Sequence, residues 1–281
     1  MQQERLFLRL DDDPLYAPET TVPAGTLREF AVPAALQAQV AHLISYEEQL
    51  PPDAVVNERV LPDGALRLIF DFGTGTAQVA GPSTQPVLLS MRGHLRGLSV
   101  TLRPGSAPAL FGLPAHELAE RTIDWDTLVA TRHRGLHVHL QDARDDAGRA
   151  RILLSSLRAM LRQVDTTERS QATRATALLR HAGDARRIAA VAAAVGVGER
   201  RLQQIFRAQL GLPPRAWSRL ARMHGCLRLL RRTGTPRWNE LALEGGFYDQ
   251  SHLVNEFQAL CGLTPGQFLQ RSVSGSSKTA A

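Results

Sequence analysis

A pattern of four residues occurs twice in the last third of this 281-residue chain: Leu202, Phe206, Gly211 and Pro214 are matched, 51 residues on, by Leu253, Phe257, Gly262 and Pro265. The spacing of four, extended to Leu260 in the second copy, puts the apolar members on one face of a helix. The glycine stops that helix, and in the second copy Thr264-Pro265 opens the next as N-cap and first residue. Ahead of it, Leu241, Ala242 and Leu243 form a short apolar face closed by Gly245-Gly246, and Phe247 follows as an anchor. Asp249 stands where an N-cap belongs, its carboxylate able to accept hydrogen bonds from the free amides of the first turn. Helix, tight glycine turn, polar-faced helix is the outline of a helix-turn-helix. The two copies break register once: Val197 to Leu202 is five residues and Phe247 to Leu253 is six, so the second turn has one extra residue.

The tandem units, ending in G-F-x-D-x-S-x-L-x-x-x-F-x-x-x-x-G-x-T-P from Gly246 to Pro265, resemble the AraC/XylS family of transcription regulators over residues 167–271. In the first recognition helix Leu202, Ile205 and Phe206 face the core, leaving Arg200, Arg201, Gln203, Gln204 and Arg207 outward. The resemblance implies base contacts from Arg200, Gln203 and Gln204, and from Gln250, Ser251, His252 and Asn255 in the second, where Val254 shares the outer face. Arginine can pair bidentately with guanine, and glutamine or asparagine with adenine. Phosphate contacts are expected from Arg186, Arg187, Arg201, Arg207, Arg219 and Arg237, near helix ends and turns. Three features depart from the family. Gly198 replaces a serine cap, Gln204 and Asn255 stand where arginine is common, and Glu256 is acidic beside the DNA face. Arg222 matches a position often held in an internal ion pair.

Helices are predicted over 168–181, 185–194, 199–209, 213–232, 236–244, 249–260 and 265–270. The fourth, about 20 residues, spans about 30 Å at about 1.5 Å per residue. One turn of B-DNA is about 34 Å, so a rigid connector of that length can set two recognition helices into successive major grooves.

Charge follows the same division. Residues 164–281 hold 17 Lys+Arg against 8 Asp+Glu, a net of +9, while the first 163 hold 16 against 19, a net of −3. A basic half on a mildly acidic half points to a polyanion partner for the former.

The N-terminal half reads as short strands: weakly near 6–10, then 28–32, 55–60, 65–72, 78–80, 87–91 and 95–102, with 36–46 open between helix and strand. Val55 to Val60 and Ala65 to Phe72 are expected to pair as a hairpin across Pro62-Asp63-Gly64. Short helices are expected at 107–113, 114–120 and 124–130, and a long amphipathic one at 143–163 that serves as a dimer contact or packs on its own β-domain. This half resembles, more loosely, the β-rich domain carried by some AraC-type regulators, itself akin to cupin barrels. The fold class is therefore α+β: a cupin-like β-rich sensor or oligomerisation domain over 1–163, then an all-α seven-helix DNA-binding domain with two helix-turn-helix units over 164–281.

Other chemistries find little purchase. His137-Val138-His139 would share a face on a strand, but no carboxylate follows at cupin-like spacing, so no metal and no cofactor is expected. No phosphate loop, nucleophile elbow or paired carboxylate stands out, so the chain is not expected to be an enzyme. Cys226 and Cys261 read as small buried hydrophobes in a reduced compartment. With charges where an export signal needs apolar residues, the chain is placed in the cytoplasm, with no membrane partner. The first expected partner is double-stranded DNA; a small-molecule effector, a second copy and RNA polymerase are further candidates. Effector contacts are assigned to Arg92, His94 and Arg96 at a barrel mouth, where Leu66, Leu68, Phe70 and Phe72 form an apolar wall or fill the interior. The alternative is an N-terminal domain that only dimerises or binds a protein.

Overall fold

The computed structural model describes residues 4–10, 13, 15–17, 20–181, 188–233 and 237–276. Among these residues nine strands come first: β1 Arg5–Phe7, β2 Leu27–Phe30, β3 Val40–Gln49, β4 Val56–Val60, β5 Leu66–Asp71, β6 Thr76–Ala80, β7 Val87–Met91, β8 His94–Leu102 and, after one helix, β9 Thr122–Asp124. Six form an antiparallel sheet in the order β2-β3-β8-β5-β6-β9, and three a smaller sheet, β1-β4-β7. The helices of this region are α1 Ser106–Phe111, α2 Trp125–Leu128, α3 Leu136–Gln141 and α4 Asp146–Met160. The rest of the chain is helical: α5 Thr166–His181, α6 Ile188–Ala194, α7 Glu199–Leu210, α8 Pro214–Thr233, α9 Trp238–Glu244, α10 Gln250–Cys261 and α11 Pro265–Ser276. The α+β class stands, and the open segment 36–46 is mostly strand β3.

The expected hairpin does not form. β4 pairs with β1 and β7, whereas β5 pairs with β6 and β8, so the turn between them carries the chain from one sheet to the other. Leu61 explains the departure: its N–H donates to Phe7 O, and its buried side chain joins the helical core. Gly64 then turns with φ +72°, its Cα against the Trp217 ring, where any Cβ would collide.

Two cores result. One lies between the six-stranded sheet and α1 to α4, where Leu66, Leu68 and Phe70 of β5 meet Trp125 and the stripe Ala150, Leu153, Leu154, Leu157 and Met160. The amphipathic helix α4 thus packs on its own β-region, and the apolar face of β5 serves a helix layer rather than a barrel interior. Between the sheets Arg5 of β1 pairs with Glu48 of β3 at 2.6 Å, and the Glu29 carboxylate of β2 takes Arg9 and the His42 ring, each at 2.8 Å. His137 and His139 sit on helix α3, where residues two apart do not share a face.

The second core joins α5 to α11, and it takes in Leu6, Leu8, Leu10 and Leu61 from the β-region. Polar contacts reinforce this seam. His224 Nε2 lies 3.0 Å from Pro62 O, Gly105 N donates to Gln209 O at 2.8 Å, and Arg59 Nη1 to Cys261 O at 3.3 Å. Burial lowers the His224 pKa to about 4, so the ring is neutral and its Nε2–H is the donor to Pro62.

Candidate nucleic-acid interface

Each unit is a short helix, a glycine turn and a longer helix: α6 and α7, then α9 and α10. Both turns contain a glycine in the left-handed region, Gly196 at φ +76° and Gly246 at φ +75°. Both long helices end on another, Gly211 at φ +78° and Gly262 at φ +65°. The buried faces also correspond: Leu202, Ile205, Phe206 and Leu210 in α7, Leu253, Phe257, Leu260 and Cys261 in α10. The N-caps differ. Asp249 accepts from His252 N at 2.7 Å, while Gly198 caps α7 through extended backbone alone.

The structure leaves the expected base-reading side chains exposed: Arg200, Gln203 and Gln204 on α7, Gln250, Ser251 and Asn255 on α10. His252 is half-buried, with Nδ1 3.2 Å from Tyr248 N and its ring edge-on to Phe247 at 5.6 Å, which ties it to the turn. Among the cations, Arg207 is exposed; Arg201 is 53% exposed while touching Glu168 at 2.6 Å, and Arg237 is 82% exposed beside Glu240. Arg219 instead donates Nε to Glu256 Oε2 at 2.8 Å, tying α8 to α10. The acidic residue that looked out of place beside DNA is therefore a partner for the connector. Arg222, expected in an ion pair, lies over the Phe247 ring at 5.7 Å, and its buried Nε has no hydrogen-bond partner among the described residues. Arg186 and Arg187 lie outside the described residues.

Two residues of this face escape reasoning by motif position. Tyr248 is the extra residue of the second turn, standing between Phe247 and the Asp249 cap with 86% of its surface exposed. The register break was its only signal. Asn239, on α9, lines an open groove with Asp249, Gln250, Ser251, Val254 and Asn255, a neighbourhood that only folding creates.

Residues 191–271, spanning both units and α8, match a family model described as a helix-turn-helix domain. This stretch is a helix-turn-helix domain of the AraC type. Domains of this type are carried by DNA-binding transcription regulators. Residues 28–124 match a second model, a domain of unknown function. No curated protein matches in sequence. Among solved structures, ToxT from Vibrio cholerae in its P21 form is similar at 11% identity, over 82% of this chain and 98% of that one, with a TM-score of 0.41. ToxT bound to (E)-4-(8-methylnaphthalen-1-yl)but-3-enoic acid is similar at 10% identity, over 82% and 99%, with a TM-score of 0.40. These likenesses are distant.

The β-region reaches both units, through Gly105 at the end of α7 and Arg59 at the end of α10. Beside the first contact is a cavity of about 60 Å³, lined by Arg9, Arg103, Arg180, Arg228, His224 and Trp217 among others. Arg9 Nε and Trp217 Nε1 are buried without a hydrogen-bond partner among the described residues. Arg92, His94 and Arg96 lie elsewhere, around the β7–β8 turn, where His94 and Arg96 approach Glu47 at 3.1 and 3.9 Å. Among the described residues no group of three metal-ligating side chains comes together, and no helix is long and apolar enough to cross a membrane.

Proposed function

We propose that the chain binds double-stranded DNA through α7 and α10, which α8 sets into successive major grooves. The observation that carries this is the repeated unit itself: two glycine-turned helix pairs, each with its apolar face buried and its polar face open. Arg200, Gln203 and Gln204 read bases in one half-site. Gln250, Ser251 and Asn255 read the other, with His252 and Asn239 beside them, while Tyr248, Arg201, Arg207 and Arg237 meet phosphates. Arg219 serves as a strut to Glu256. Such a regulator works in the cytoplasm and acts on transcription through RNA polymerase.

The direct test is titration of a duplex recovered from a random pool, at several salt concentrations. Affinity should fall with a log–log slope of about 0.9 per phosphate contact. Tight binding that salt does not change would rule the reading out.

Control by a small effector belongs to the same proposal, and its site is the cavity at the seam. Four arginines and two unpartnered donors there, against the one carboxylate of Asp63, which Arg67 already holds, suit a small anion. At about 30 Å³ per water the cavity admits little more than a carboxylate or phosphate head. Occupancy would brace the contact between Gly105 and the end of α7. At a hundred times its dissociation constant a ligand adds about 2.7 kcal/mol. A panel of carboxylates and phosphate esters that leaves the melting temperature of the full chain unchanged would remove the effector and leave the DNA reading intact.

A further inference from the structure

Seven large apolar or aromatic side chains are exposed among the described residues, and three of them are consecutive on β7: Val87 at 49%, Leu88 at 61% and Leu89 at 39%. Alternation along a strand puts Val87 and Leu89 on one face and Leu88 on the other, so the chain covers neither face. β7 is also an edge. It pairs with β4 on one side, and no described strand lies on the other. Soluble proteins guard such edges with charges, prolines or bulges, yet the five residues Val87–Met91 contain none of the first two and pair with β4 in unbroken register.

We propose that β7 pairs antiparallel with β7 of a second copy, joining two three-stranded sheets into one of six. The charges at the two ends of the strand favour this occupant. The carboxylate of Glu120 is held at the N-terminal end, accepting from Ser83 Oγ at 2.6 Å and Thr84 N at 2.9 Å. Arg92, exposed, follows the C-terminal end. Antiparallel self-pairing brings unlike ends together twice, whereas parallel pairing would stack like on like.

A two-fold axis at Leu88 sets the more exposed of the strand's two leucines against its own copy and Val87 against Leu89 of the second copy. It also sets Arg92 opposite Thr84 of the second copy, beside Glu120. Directly opposed apolar pairs of this kind are the stabilising unit of a sheet, and strand addition supplies the backbone hydrogen bonds. With α4 turned inward onto its own sheet, the helix that could have served as the dimer contact is already used. The pairing is independent of the DNA reading.

Sedimentation of the full chain tests it. Dimers are expected, with Leu88→Lys raising the dissociation constant at least tenfold while leaving the melting temperature unchanged at dilutions where both proteins are monomeric, and Leu243→Lys, on an unrelated exposed leucine, leaving the dimer alone. Arg92→Glu should weaken the dimer to a lesser degree. Register is read by cross-linking: Leu88→Cys meets its own copy and forms a disulfide-linked dimer, whereas Ser90→Cys, displaced from the axis, does not. The native Cys226 and Cys261 are buried and leave the background clean. A monomeric wild type at tens of micromolar would overturn the proposal. So would a dimer indifferent to Leu88→Lys, or one in which Leu88→Cys fails to cross-link.

Discussion

The two helix-turn-helix units share a backbone and differ in how they can hold DNA. The first presents Arg200, Arg201 and Arg207 on an exposed helix face, with a glycine cap and the β-region against its far end. The second presents Gln250, Ser251 and Asn255, with an aspartate cap, a turn one residue longer and its acidic Glu256 neutralised by Arg219. Repetition of a fold therefore does not mean repetition of a contact. Under the proposed reading, charge weights the first unit toward phosphate attraction, and hydrogen-bonding side chains weight the second toward base edges.

The largest effect should fall on both units alike, through the connector between them. His224, on α8, has its pKa lowered to about 4 by burial, against an ordinary 6.5. The folded chain then binds fewer protons than the unfolded one, so stability is full above pH 6.5, falls as the pH drops, and levels off below about 4. The shift corresponds to about 3 kcal/mol, at about 1.4 per pKa unit. Glu58 acts in the opposite sense: burial raises its pKa from 4.5 to about 7, so it costs stability as pH rises through that window. The readout is therefore the difference between wild type and His224→Gln, whose amide can still donate to Pro62 O. Denaturant unfolding from pH 7 to 4 should show that difference closing on the wild type's side. If acid loosened one unit long before the other, α8 would not be a shared frame.

Next come the reading residues. Arg200→Ala or Gln203→Ala should cost about 1–3 kcal/mol at one half-site, and Gln250→Ala or Asn255→Ala a similar amount at the other. Arg207→Ala, which removes a phosphate contact of the first unit, should instead flatten the salt dependence by about 0.9 in slope. Equal salt slopes for the Arg207 and Asn255 variants would erase the contrast between the units.

The smaller effects concern the caps. Asp249→Ala removes the acceptor for His252 N and should cost about 1 kcal/mol. Gly198→Ser adds an acceptor where the backbone is already extended and nothing lies within 4 Å of a new Cβ, so it should gain a few tenths of a kcal/mol. Thermal melts of both variants decide whether the caps are as unequal as their geometry.

Much of the helical half was legible because its signals are local. Leu253, Phe257 and Leu260 mark a face within three turns, Asp249 and Gly262 mark its ends, and a one-residue break in register marks a longer second turn without singling out Tyr248. Strand pairing is not local. Val55 to Val60 reads as the first arm of a hairpin, but the strand's partners are Arg5–Phe7 near the N-terminus and Val87–Met91 downstream, a choice made by Leu61 entering the helical core. The alternation Leu6, Leu8, Leu10 marked a strand-like face without saying that it faces helices two hundred residues away. Arg219 and Arg222 carried identical charges three residues apart. Only the packing of α8 against α10 shows which one meets Glu256 and which lies over Phe247.

The central claim is that α7 and α10 read separate base pairs about one helical turn apart. The measurement that bears on it most directly is a binding map: wild type, Arg200→Ala and Asn255→Ala against every single base-pair change across a selected site. Two separate clusters of lost discrimination, one per variant and about 10 base pairs apart, are the result expected. Loss at the same base pairs for both variants would contradict it.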